Sequence, residues 1–168
     1  MAKVIIGFSR PKNMKFKFFA WAIMKAYSTP YSHVYIKIHS DTFKRDLIYQ
    51  ASHTLVNFMG MEIFSEEALI LDEFEFEMSD ESYLEMMQFA IDSAGTPYGT
   101  KECFGMAWVK IVSLFGKTIK NPFGDGGSTY VCSELASFVL KNYLGAKIDD
   151  LDDMTPLQVY NLIKELKS

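Results

Sequence analysis

The sequence predicts an α+β fold in which an antiparallel sheet packs against helices, and three patterns carry that expectation. Segments in the first half alternate apolar and polar residues with a period of two, short polar turns join successive alternating segments, and from Ser79 apolar residues recur at helical spacing instead. With 168 residues, 49% hydrophobic and 23% charged, the chain has the size and composition of one soluble domain over residues 1–168. A domain of this size buries enough surface to stand without disulfide or metal.

The elements follow in chain order. Val4-Ile5-Ile6 reads as the core of a first strand, and Lys15–Tyr27 as a helix whose stripe Phe16, Phe19, Ala20, Ile23 and Tyr27 packs on the sheet. After a turn at Thr29-Pro30, His33–His39 is a half-buried strand with Val34, Ile36 and Ile38 on one face and His33, Tyr35 and Lys37 on the other. Asp46–Ser52 is its antiparallel neighbour, with Ile48, Gln50 and Ser52 sharing a face, and Leu69–Met78 is a third or fourth strand whose glutamates line a wet face. Ser79 or Asp80 caps a helix with the stripe Leu84, Met87, Ala90, Ile91 and Ala94, and Gly95 ends it. Further helices are expected over Glu102–Phe115 and Val131–Leu144, separated by a long glycine-rich loop at Gly116–Thr129. Thr155-Pro156-Leu157-Gln158 starts a last one, with a cap residue, a proline at the first helical position and a Gln three residues beyond the cap.

Several function classes drop out on charge and composition. The net charge is −4 and the seventeen basic residues are dispersed, so no nucleic-acid partner is expected. The two cysteines, Cys103 and Cys132, lack the spacing of a redox or zinc motif, and the three histidines lack metal-ligand spacing, so neither metal nor cofactor is expected. The N-terminal apolar run is too short for a signal peptide, and Lys25 and Lys110 interrupt the most hydrophobic stretches, so a cytoplasmic, non-spanning protein is expected. Lys15–Tyr27 mixes lysines with large rings, and its alternative to packing is peripheral contact with a membrane.

Cys132 is the residue with chemistry. It falls in the first turn of its helix, where free N–H groups and the positive end of the helix dipole favour an anion, and a thiolate is the nucleophilic form of cysteine. The same N–H groups could hold the oxyanion of a tetrahedral intermediate. The spacing Cys132, Leu135, Ala136, Val139 turns the thiol toward the sheet and Glu134 elsewhere. The bland alternative is an inert packed cysteine.

Five segments, Tyr31-Ser32-His33-Val34, Ile48-Tyr49-Gln50-Ala51, Gly95-Thr96-Pro97-Tyr98, Tyr130-Val131-Cys132-Ser133-Glu134-Leu135 and Met154-Thr155-Pro156, stand in an order that resembles circularly permuted NlpC-type papain-fold hydrolases. The likeness is to the YiiX/YaeF-like group, related to lecithin:retinol acyltransferase, and it runs from about His33 to the last helix. It implies a permuted papain-like fold in which Cys132 attacks, His33 takes its proton and Gln50 orients the imidazole. Many relatives carry a carboxylate where Gln50 stands, and an amide stabilises imidazolium less, so either Gln50 or another residue is the third group. Tyr98 and Tyr130 are candidates to line the substrate cleft, against the plainer reading of half-buried core tyrosines. His39 reads as a surface residue, His53 as a loop histidine or an alternative orienter, and Cys103 as packing.

The expected activity is hydrolysis of an amide bond, in a peptide or peptidoglycan fragment, through an acyl-enzyme. The alternatives are lipid acyl hydrolysis or transfer on an acyl ester at a membrane surface, and a non-catalytic binding module. A wall hydrolase without an export signal would be released by lysis or carried in a virus particle.

Overall fold

Residues 1–13, 18–52, 54–101, 129–151 and 154–168, with single positions 105, 109, 112, 116 and 119, are described in this computed structural model. Most of the helix expected over Glu102–Phe115, most of the loop at Gly116–Thr129, Cys103, His53 and the start of Lys15–Tyr27 therefore lie outside the described residues.

Among the described residues, five strands form one antiparallel sheet: β1 (Ala2–Pro11), β2 (His33–Ser40), β3 (Arg45–Ser52), β4 (Leu55–Gly60) and β5 (Ala68–Met78), side by side as β4-β3-β2-β1-β5. The helices are α1 (Phe18–Tyr27), α2 (Met61–Glu67), α3 (Asp80–Ser93), α4 (Cys132–Tyr143) and α5 (Pro156–Leu166). The α+β architecture is thus present. The segment Leu69–Met78 belongs to the fifth strand in chain order and pairs with β1, because β4 and α2 intervene where the sequence shows no clear period.

Alternation along each strand divides the core between two faces. Val4, Ile6 and Phe8 of β1, Val34, Ile36 and Ile38 of β2 and Tyr49 and Ala51 of β3 lie together under Met86 and Ala90 of α3, Leu135, Ala136, Val139 and Leu140 of α4 and Val159 and Ile163 of α5. The other face holds a smaller cluster, Tyr35, Ile48 and Phe64, with Phe64 brought in by α2. Tyr35 closes over β1 at Gly7, where a Cβ would come within 2.1 Å of the ring, so only glycine fits beneath it.

The helix ends obey their capping chemistry. Ser79 accepts the Ser82 N–H at the start of α3, and Thr155 and Gln158 exchange hydrogen bonds at the start of α5. Gly145, with φ +73°, follows α4.

Three facing expectations are corrected. In α3 the buried side chains are Met86, Ala90 and Ser93, while Leu84 and Ile91 are exposed. The small residues Ala90 and Ser93 allow close approach, and the Ser93 hydroxyl bonds the buried Tyr49 hydroxyl. In α1, Ala20, Ile23 and Tyr27 are only half-buried and Trp21 is 47% exposed. That segment is apolar at nearly every position, so periodicity selects no face. In α4, Glu134 is buried rather than turned away, because its carboxylate accepts the Val131 N–H at the helix start.

Candidate functional site

The sheet forks at the beginning of β2. Pairing of β2 with β3 runs from Ser40 and Arg45 to Ile36 and Tyr49 and stops there. His33 and Val34 continue in register with Ser9 and Phe8 of β1, whereas Gln50, Ala51 and Ser52 continue with Asn57, Val56 and Leu55 of β4. Backbone groups on the two lips of the fork are thereby released from the ladder and available to something else.

One occupant of the fork is the start of α4. The segment that leads to it is stitched to β4. Val56 donates its N–H to Thr96 and Tyr98 donates to Thr54, while Tyr130 donates to Pro97 and Gly99 to Tyr130. Tyr98 and Tyr130 lie alongside each other as a short parallel bridge. This seam fixes where Cys132, the first residue of α4, is presented. Cys132 is 5% exposed, and the backbone N–H of Val34 at the lip of the fork, those of Ser133 and Cys132 at the helix start and the hydroxyl of Tyr98 all act to lower the pKa of its thiol. The Val34 nitrogen is two covalent bonds from the Cα of His33.

The other occupant comes from the opposite face. The His33 ring lies on the Phe64 side of the sheet, its centroid 6.3 Å from that of Phe64, and its Nε2 is 2.7 Å from Oε1 of the buried Gln50 across the fork. An amide oxygen can only accept, so Nε2 carries a proton, and in the neutral form of the ring the lone pair is on Nδ1. Thiol and imidazole thus lie on opposite faces of the sheet at the fork, rather than on one face as the orientation of α4 alone suggests.

The protonation state of the sulfur also departs from expectation. Burial pushes the Cys132 thiol above its ordinary value, and the N–H groups of Val34, Ser133 and Cys132 and the Tyr98 hydroxyl pull it down by less. The resting sulfur is therefore a thiol, not the thiolate that the helix start by itself favours. Complete desolvation of a charge outweighs the partial charges at a helix terminus.

Gln50 bonds His33. Tyr98 lies in the seam beside the start of α4, and its hydroxyl acts to lower the pKa of the Cys132 thiol. Tyr130 instead places its ring among Phe89 and Phe138, at centroid distances of 6.2 and 6.5 Å. His39 lies on the surface beside Asp46 and Asp41. Sequence reasoning missed the Val34 N–H, Phe64 and Asn57. The first is a backbone group with no sequence signature, and the other two sit on the unrecognised α2 and β4.

Among the described residues, no three His, Cys, Asp or Glu side chains gather as a metal site, and no helix is long and apolar enough to cross a membrane. Cys132 is a free cysteine. No family of known proteins matches the chain, and comparison with curated proteins finds no relative.

Proposed function

We propose that this protein is a thiol hydrolase that cleaves an amide bond, in a peptide or peptidoglycan fragment, through an acyl-enzyme on Cys132. The observation that supports the proposal is the fork, where Val34, whose N–H acts on the buried Cys132 thiol, directly follows His33, whose ring is hydrogen-bonded to the buried Gln50.

The chemistry runs as follows. As Sγ attacks the carbonyl carbon, its proton passes to Nδ1 of His33, and the Nε2–H remains on the Gln50 oxygen. The carbonyl oxygen becomes an oxyanion, for which the N–H of Cys132 and the Tyr98 hydroxyl are the donors beside the sulfur. The imidazolium then gives its proton to the leaving amine nitrogen as the C–N bond breaks, leaving a thioester. Water, deprotonated by His33, attacks the thioester and releases the carboxylic acid and the thiol. Because the resting sulfur is neutral, His33 has to act as a base during attack.

The finer fold assignment is also a proposal: a papain-like domain of the permuted NlpC type. It is supported by order, since the base and its orienter on β2 and β3 precede the nucleophile helix here, whereas papain-type chains carry the cysteine first. A second reading, acyl transfer or hydrolysis on a lipid ester at a membrane surface, is favoured by the exposed Trp21 on α1.

Aryl esters of a short peptide and of a fatty acid test both readings by intact mass. The expected result is one acyl adduct from the peptide ester on the wild-type chain and none on Cys132→Ala. Preferential adduct from the fatty ester supports the lipid reading, and absence of any Cys132-dependent adduct contradicts hydrolase function.

A further inference from the structure

The imidazole of His33 has one useful polarity. Nε2–H toward Gln50 leaves Nδ1 basic, whereas the other tautomer would leave no lone pair there for a thiol proton. Gln50 cannot impose that choice alone, because its amide can be turned over, presenting N–H groups to Nε2 instead of the oxygen. Something must fix which end of Gln50 faces the ring.

That something lies directly across the next strand pair. Gln50 and Asn57 are register partners on β3 and β4, so their side chains share a face. Nε2 of Gln50 donates to Oδ1 of Asn57 at 3.4 Å, and Nδ2 of Asn57 donates to the backbone carbonyl of Leu55 at 3.2 Å. A backbone carbonyl can only accept, so it holds the nitrogen end of Asn57 and leaves Oδ1 for Gln50. This in turn holds the nitrogen end of Gln50 and leaves Oε1 for His33. Turning the Gln50 amide over would set like groups against each other on both sides of a buried side chain, which is costly, and turning Asn57 over would do the same to its bonds with Gln50 and Leu55. Nε2 of Gln50 also lies 3.8 Å from Sδ of Met59, a weak acceptor.

We infer that Asn57 is a positioning residue that sets the tautomer of His33 through Gln50, its own orientation being dictated by the Leu55 carbonyl. A chain of neutral amides thereby does for the imidazole what a carboxylate does by charge. The inference rests on the reading of His33 as the base for Cys132.

The test compares Asn57→Leu with Asn57→Asp. Both lose the donor to Leu55, but only aspartate keeps an acceptor for Gln50. The ring tautomer of His33 is read by 15N NMR at a pH where the ring is neutral, and the rate of Cys132 alkylation by iodoacetamide is read by mass. Wild type and Asn57→Asp are expected to show the Nε2–H tautomer. Asn57→Leu is expected to show a mixture and to alkylate about five- to tenfold more slowly, the range a single hydrogen bond spans. An unmixed Nε2–H tautomer in Asn57→Leu overturns the inference, and so does an equal loss in both variants. If wild-type alkylation shows no dependence on His33, the hydrolase reading fails, and the tautomer result still decides the role of Asn57.

Discussion

Replacing His33 by alanine is expected to slow alkylation of Cys132 by about 10²- to 10⁴-fold at neutral pH, the usual worth of a positioned general base. The size of the effect follows from the state of the sulfur. Because burial holds the thiol above its ordinary pKa, the thiolate fraction without a base is small, and nearly all reactivity has to pass through the transfer to Nδ1. If the thiol were ionised at rest, removing the imidazole would cost far less. Cys103 in the same chain serves as the internal reference, since its alkylation should not change. The variant also leaves the buried Gln50 oxygen without its partner, a loss of about 1–3 kcal/mol of stability, so the comparison is made where a denaturation curve shows both proteins folded. A rate within a few-fold of wild type would remove His33 from the mechanism.

The second large effect is on stability at alkaline pH. The buried Tyr35 and Tyr49 phenols lie above their ordinary value of 10.0, burial being the main cause in each; Glu73 adds to it at Tyr35 and the Ser93 hydroxyl opposes it at Tyr49. The Cys132 thiol lies above 9.0 for the same principal reason. Groups whose folded pKa is raised bind more protons in the fold than in the unfolded chain. Their contribution is fully present below the unfolded values, fades as pH rises past them, and is lost once pH passes the folded ones. Each costs about 1.4 kcal/mol for every pH unit above its unfolded value that the fold keeps it protonated. Stability at pH 11 should therefore be lower than at pH 8, with about 1.4 kcal/mol lost at each of the two phenols and a further loss from the thiol. Urea denaturation at the two pH values measures it, and Cys132→Ala should lose correspondingly less. An identical loss in wild type and Cys132→Ala would mean that the thiol ionises as readily in the fold as outside it.

Where period and chemistry agreed, the sequence was readable. The alternation in His33–His39 and Asp46–Ser52 identified paired strands and put His33 and Gln50 on neighbouring ones, and Thr155-Pro156-Leu157-Gln158 marked a helix start that forms the expected hydrogen bonds. Leu55–Gly60 and Met61–Glu67 were not readable, because six and seven residues are too few to establish a period. They carry Asn57 and Phe64, so the surroundings of His33 stayed hidden although His33 itself did not. In α3 the stripe through Leu84, Met87, Ala90, Ile91 and Ala94 is a sound helical pattern, and Ala90 is buried as expected, yet docking is rotated so that Met86 and Ser93 are buried with it while Leu84 and Ile91 face out. The thiol illustrates a different limit. A helix start can be recognised from sequence, but the degree of desolvation that outweighs it depends on the whole fold.

Convergence of sulfur and imidazole from opposite faces of the sheet can be tested with dibromoacetone, whose two reactive carbons join a thiol to a nearby ring nitrogen through a three-carbon bridge. The thiol reacts first, and the second bromide is displaced only by a nucleophile within reach of the tether. Peptide mass analysis should then give a single cross-link between Cys132 and His33, absent in Cys132→Ala and in His33→Ala. Cys132 alkylated at one end only, with His33 unmodified, or bridged to a different side chain, would contradict the pairing on which the proposed mechanism depends.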